Sequence, residues 1–122
     1  MALVLCTGTD AALLQTRKLI LERAGHTVIS VMDEREMAAA CREYVFDLAV
    51  IGEAVSPRMK RAVASSIRAQ CRSLRILELY QQHQGKILED ADSWMEVPAE
   101  VPTELAEHVN ELVAKKPRRA SG

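Results

Sequence analysis

Aromatic residues are scarce: Tyr44, Phe46, Tyr80 and Trp94 are the whole set in 122 residues. Single-strand nucleic-acid binders stack bases on exposed rings, so that class has no platform here. An excess of one charge is also missing. Sixteen Lys and Arg face seventeen Asp and Glu, leaving a formal net charge of −1 and no electrostatic pull toward nucleic acid or an anionic membrane. No apolar run approaches the ~18 residues needed to span a bilayer. The N-terminus shows no charged stretch ahead of an apolar one, so no secretory leader is expected. Cysteine motifs are absent as well. Cys6, Cys41 and Cys71 are odd in number and far apart, and read as three separate small hydrophobes in a reducing cytoplasm. His26, His83 and His108 have no metal-ligand spacing and read as surface or loop residues; neither metal nor cofactor is expected.

What is present is an ordinary soluble composition, 48% apolar and 27% charged, in a length suited to one domain with a core. The run ALVLCT at residues 2–7 has the continuous apolarity of a strand buried on both faces. Thr9 or Asp10 can cap a helix whose stripe is Leu13, Ile20 and Ala24, flanked by Leu14 and Leu21, and Gly25 stops it. The β-branched run TVISV at 27–31 is a second strand, and Asp33 can cap a helix over 34–44. A third strand at 48–51 leads to a helix opened by Pro57, with Val63, Ala64 and Ile67 inward, running to about Cys71. The fourth strand covers 74–79. The stretch Gln81 to Gly85 is turn-like, and only Lys86 to Asp90 could form a short helical turn before a fifth strand at 93–97. A last helix follows Thr103, with Leu105, Val109, Leu112 and Val113 inward. The expected domain is residues 1–114, with a basic, disordered tail over 115–122 and no room for a second folded unit. Alternating strands and helices predict an α/β flavodoxin-like sheet of five parallel strands, order 2-1-3-4-5, helices on both faces, with the fourth of five helices shortened or missing. Function in such sheets sits beyond the C-terminal strand ends, which here carry Thr7-Gly8-Thr9, Gly52-Glu53, Leu79-Tyr80 and Val97-Pro98.

Over about residues 2–114 the chain resembles the receiver domains of bacterial two-component response regulators. The resemblance rests on LVLCTGTDAALLQTRKLILERAGHTV, FDLAVIG and ADSWMEVP taken in order. It implies a pocket with two acids after the first strand for magnesium, a phosphoaccepting aspartate ending the third, a Thr or Ser after the fourth and a Lys after the fifth. In this register Gly8 and Thr9 stand for the acidic pair, Gly52 for the acceptor, Leu79 or Tyr80 for the hydroxyl and Val97 for the lysine. Asp10 is an acidic remnant. Counting back from Pro57 instead would put Glu53 at the acceptor position, as a fixed negative charge. The resemblance therefore implies a pseudo-receiver that does not take phosphate.

The leading expectation is a non-enzymatic protein-interaction module in cytoplasmic signalling, docking a protein partner or a second copy and binding neither nucleic acid nor membrane. Its partner face is drawn from Trp94, Glu96, Glu107, His108 and Glu111. An enzymatic alternative is a phosphotransferase IIB-like protein with Cys6 as phosphocysteine, since Cys6-Thr7-Gly8-Thr9 precedes a helix N-terminus. A third reading is a small-ligand sensor that uses the space left by Gly8 and Gly52, with Thr7, Thr9 and Ser56 as hydrogen-bonding groups.

Overall fold

The computed structural model describes residues 2–71, 74–99, 101 and 103–114. The expected tail, 115–122, lies outside the described residues. Among the described residues nine elements follow, alternating as far as β4: β1 (Leu3–Thr7), α1 (Ala11–Arg23), β2 (Thr27–Val31), α2 (Glu34–Glu43), β3 (Leu48–Ile51), α3 (Pro57–Gln70), β4 (Arg75–Gln81), β5 (Ser93–Val97) and α4 (Glu104–Ala114). All four strand pairings are parallel and the order is β2-β1-β3-β4-β5. This is the flavodoxin-like arrangement expected from the sequence.

The period of two along each strand divides the core. Val4, Cys6, Val50, Leu77 and Met95 point to the side covered by α1 and α4, with Leu21, Leu105 and Val109. Leu5, Ala49, Ile51 and Ile76 point to the side of α2 and α3, with Met37, Val63 and Ile67. Asp10, Asp33 and Ser56 cap α1, α2 and α3, each accepting N–H groups of the first turn. Gly25, at φ +96°, turns the chain out of α1 in a conformation open to glycine.

Four expectations need correction. The inward stripe of α1 is Leu14, Arg17 and Leu21; Leu13 and Ile20 are half-buried and Ala24 is exposed. The rotation is set by Arg17, which turns in toward the strand ends. The fourth helix, expected to be shortened or missing, is missing among the described residues; the correction is that Lys86 to Asp90 do not make even a helical turn. The N–H groups of Ile87 and Leu88 go to the Glu78 carboxylate instead (2.8–3.1 Å), so no helical ladder is started. Cys41 and Cys71 are not separate hydrophobes: they form a disulfide between the C-terminal ends of α2 and α3, with Cα atoms 5.6 Å apart. His26 is buried rather than on the surface. Its Nδ1 accepts from the Ala2 N–H (3.1 Å), so Nε2 carries the proton and donates to Asn110 Oδ1 (2.6 Å), tying β1 to α4.

Candidate functional site at the C-terminal strand ends

β1 and β3 end side by side, Thr7 opposite Ile51, so Gly8 and Gly52 follow at adjacent positions. The Gly52 N–H donates to Thr7 O (3.0 Å) and the Gly8 N–H to Val31 O (3.3 Å). A side chain at Gly52 would be crowded. A Cβ there would lie 3.1 Å from Arg17 Nη1 and 3.2 Å from Thr7 O. Arg17 reaches over the strand end from α1 and is bound by Glu53, Nη2 to Oε1 at 2.5 Å, with both side chains about nine-tenths buried. A buried cation and a buried anion each carry a large desolvation cost, and pairing is what makes both tolerable.

The remaining positions are spoken for in the same way. Asp10 spends its carboxylate on the N–H groups of Ala12 and Leu13 (2.9 and 3.1 Å). The Thr7 hydroxyl donates to Val50 O, and Ser56 caps α3. Leu79 is fully buried, and Val97 is buried beside Pro98, joined to it by a cis peptide bond. The space beside Gly8 and Thr9, walled by Val31, Met37 and Val55, shrinks to about 20 Å³, room for a single water. It offers nothing of ligand size.

A magnesium ion, which the fold implies, does not fit these residues. Hard divalent ions take clustered carboxylate oxygens. Gly8 and Thr9 bring none, Asp10 is a helix cap, and Glu53 is neutralised by Arg17. Among the described residues no three His, Cys, Asp or Glu side chains gather in a way that could hold a metal. Cys6 is equally unsuited to nucleophilic work. It sits inside β1 with 1% of its surface exposed, and burial pushes its thiol from 9.0 up to about 12, only partly opposed by the Arg17 charge.

A second buried ion pair lies one strand away. Lys60, from the first turns of α3, donates to Glu78 Oε2 (2.7 Å) and Leu79 O (2.9 Å), and both side chains are sealed from solvent. Glu78 faces the α2–α3 side and gathers the loop amides of Ile87 and Leu88. The loop's backbone is also held by Arg68, which donates to Leu74 O and Asp90 O. Trp94 closes it from outside: its indole N–H donates to Leu88 O (2.9 Å), and Lys86 Nζ stands 4.9 Å over its ring. Trp94 is thus half-buried in its own loop. Of the other residues of the expected partner face, Glu96, Glu107 and Glu111 are exposed, and His108 Nε2 meets Ser93 Oγ at 2.6 Å.

Sequence reading missed Arg17, Lys60 and Glu78. A signal existed. Arg17 interrupts the apolar spacing Leu14–Leu21, and Glu78 stands in the middle of the apolar strand RILELY. A charge placed where its neighbours are core residues requires an opposite charge from elsewhere in the fold.

The sheet order, the four helices and the placement of these strand ends define a receiver fold. No protein-family model matches the chain, and no curated protein matches it. Solved structures do. A response regulator from Thermotoga maritima superposes with a TM-score of 0.75 at 17% identity, covering 94% of this chain and 99% of that one. The receiver domain of a sensor histidine kinase from Pseudomonas aeruginosa PAO1, which has a magnesium ion coordinated in its active-site cleft, gives 0.74 at 13% identity, over 93% and 98%. NtrX from Brucella abortus gives 0.77 at 16% identity, where 93% of this chain covers 26% of that one. At such identities the likeness is one of fold.

Proposed function

We propose that the chain is a receiver-like protein-interaction module of two-component-type signalling that works without phosphotransfer. The observation that carries this reading is the Arg17–Glu53 pair. It sets a fixed, buried internal charge pair at the C-terminal ends of β1 and β3. Phosphoryl transfer needs positive charge placed around the transferring group and an acceptor oxygen. Gly52 gives no acceptor, and Arg17, the cation at these strand ends, is paired with Glu53. The reading is non-enzymatic, and the buried thiol of Cys6 speaks against the phosphocysteine alternative. The setting we propose is cytoplasmic. The Cys41–Cys71 bond weighs against a reducing compartment. No helix among the described residues is long and apolar enough to cross a membrane.

The work of such a module falls to its surface. The proposed partner face is drawn from the edge strand β5 and from α4: Glu96, Glu107 and Glu111 are exposed, and Trp94 is half-buried. A protein partner is proposed, with a second copy as one form of it. The test of the chemistry is incubation with magnesium and acetyl phosphate or beryllofluoride. The expected result is unchanged intact mass and no metal-dependent spectral change. A stoichiometric phosphoryl adduct would overturn the reading.

A further inference from the structure

On the α1–α4 side of the strand ends, separate from the closed space at Gly8, lies an open groove of about 540 Å³. Its size is that of small-molecule sites, and its walls are mostly apolar: Leu13, Ile20, Met95, Val97 and Leu105. Arg17 and Glu53 line it too, and their pairing is half-complete. It uses Nη2 of the guanidinium and Oε1 of the carboxylate. Among the described residues Nε, Nη1 and Oε2 make no hydrogen bond or ion pair. No buried side-chain N or O atom of the described residues lacks a partner, so these three atoms reach solvent. The groove is the opening that both residues share.

This floor carries no net charge, which selects the ligand. A simple carboxylate would gain from Arg17 and be repelled by Glu53, and an amine would meet the reverse. A molecule with adjacent positive and negative groups satisfies both, and an apolar extension covers the walls. We propose that the groove binds a free aliphatic α-amino acid. Its carboxylate accepts from the spare N–H groups of Arg17, its ammonium donates to Glu53 Oε2, and its side chain lies against Leu13, Ile20 and Leu105. The proposal stands independently of the loss of phosphotransfer, since it uses the far side of the ion pair.

The test is a titration of the ¹⁵N-labelled full chain with L-leucine. 4-Methylpentanoate, which lacks the ammonium, and isoamylamine, which lacks the carboxylate, are run in parallel. Saturable amide shifts in α1 and β5 are expected with L-leucine below about 10 mM, and binding of either analogue at least about tenfold weaker. Thr16→Trp, from the exposed rim of α1, should fill the mouth and abolish the response while the rest of the spectrum is kept. Gln81→Trp from the opposite wall makes the same test if the first variant does not fold. Absence of saturable shifts, equal response to either analogue, or full binding by a folded rim variant would each overturn the proposal.

Discussion

At residue 52 a missing side chain makes space for a present one. The Arg17 guanidinium lies within 3.1 Å of where a Cβ at Gly52 would stand, and Glu53 holds it there. Gly52→Asp therefore brings its carboxylate against Arg17, not into an empty pocket. It should crowd Thr7 O, remain unphosphorylated with magnesium and acetyl phosphate, and lower stability; efficient phosphorylation of this variant would refute the account of the crevice. Glu53→Ala leaves a buried cation without its partner and should cost about 3–5 kcal/mol in denaturant unfolding, whereas the double variant Arg17→Leu, Glu53→Leu should recover most of that loss. Cys6 gives a pH signature. Its folded thiol is raised to about 12 from an unfolded value of 9.0, so the folded state holds its proton more tightly than the unfolded chain. The stability this carries is complete below pH 9 and is lost as pH rises toward about 12, by roughly 1.4 kcal/mol per pH unit. Cys6→Ala should flatten that alkaline decline when unfolding is compared across the range, and native wild type should leave Cys6 unmodified by thiol reagents at neutral pH. An equal slope in the two proteins would remove Cys6 as its source.

Among the elements, the most unusual is the connection from β4 to β5, where a polar clamp replaces a helix. Glu78 collects Ile87 and Leu88 N–H while Lys60 neutralises it, and Leu88 and Ala91 plug the core that a helix would otherwise cover. Lys60→Met leaves Glu78 charged and buried, with amides alone to stabilise it. It should cost about 3–5 kcal/mol and speed hydrogen exchange at Ile87 and Leu88; unchanged exchange there would show that the loop is held by packing alone. On the same face, the Cys41–Cys71 bond closes a loop over a sequence separation of 30, worth about 3.5 kcal/mol in the chain-entropy account. The elements themselves were legible in the sequence because local rules govern them: Gly25 ends α1, Pro57 opens α3, and Asp33 caps α2. What stayed hidden depends on distant residues. His26 is buried because Asn110 waits 84 positions on, and the disulfide exists because α2 and α3 end side by side, neither of which leaves a mark in spacing. Gly8, Gly52 and Val97 were legible as strand ends without an acid or an amine. The Arg17–Glu53 pair needed the fold, because the two meet only when α1 crosses the end of β3.

For the whole molecule, near-zero net charge conceals an uneven distribution. The outer side of β5 and α4 shows Glu96, Glu107 and Glu111, while the exposed side of α3 shows Arg58 and Arg61. β5 is also an edge of the sheet, with β4 as its one strand neighbour. Edge strands in stable proteins are covered, and a second copy meeting this edge about a two-fold axis is the simplest cover. Such a dimer sets like charges against like, because the same acidic patch comes from each side. Three consequences follow from that geometry. Association should be weak at low salt and tighten as salt screens the carboxylates, with the screening length falling from about 30 Å at 0.01 M to about 8 Å at 0.15 M. Glu107→Lys should tighten the dimer, since it removes one carboxylate from each acidic patch and adds one cation to it. Glu107→Lys should also weaken capture of any basic partner that uses this face, which separates self-association from docking to another protein. Sedimentation equilibrium over a concentration series at two salt levels, for wild type and Glu107→Lys, reads the first two effects directly. Glu107 is exposed on α4, so the substitution leaves the core untouched. A monomer under every condition, or a dimer that neither salt nor Glu107→Lys affects, would exclude a two-fold contact through this face.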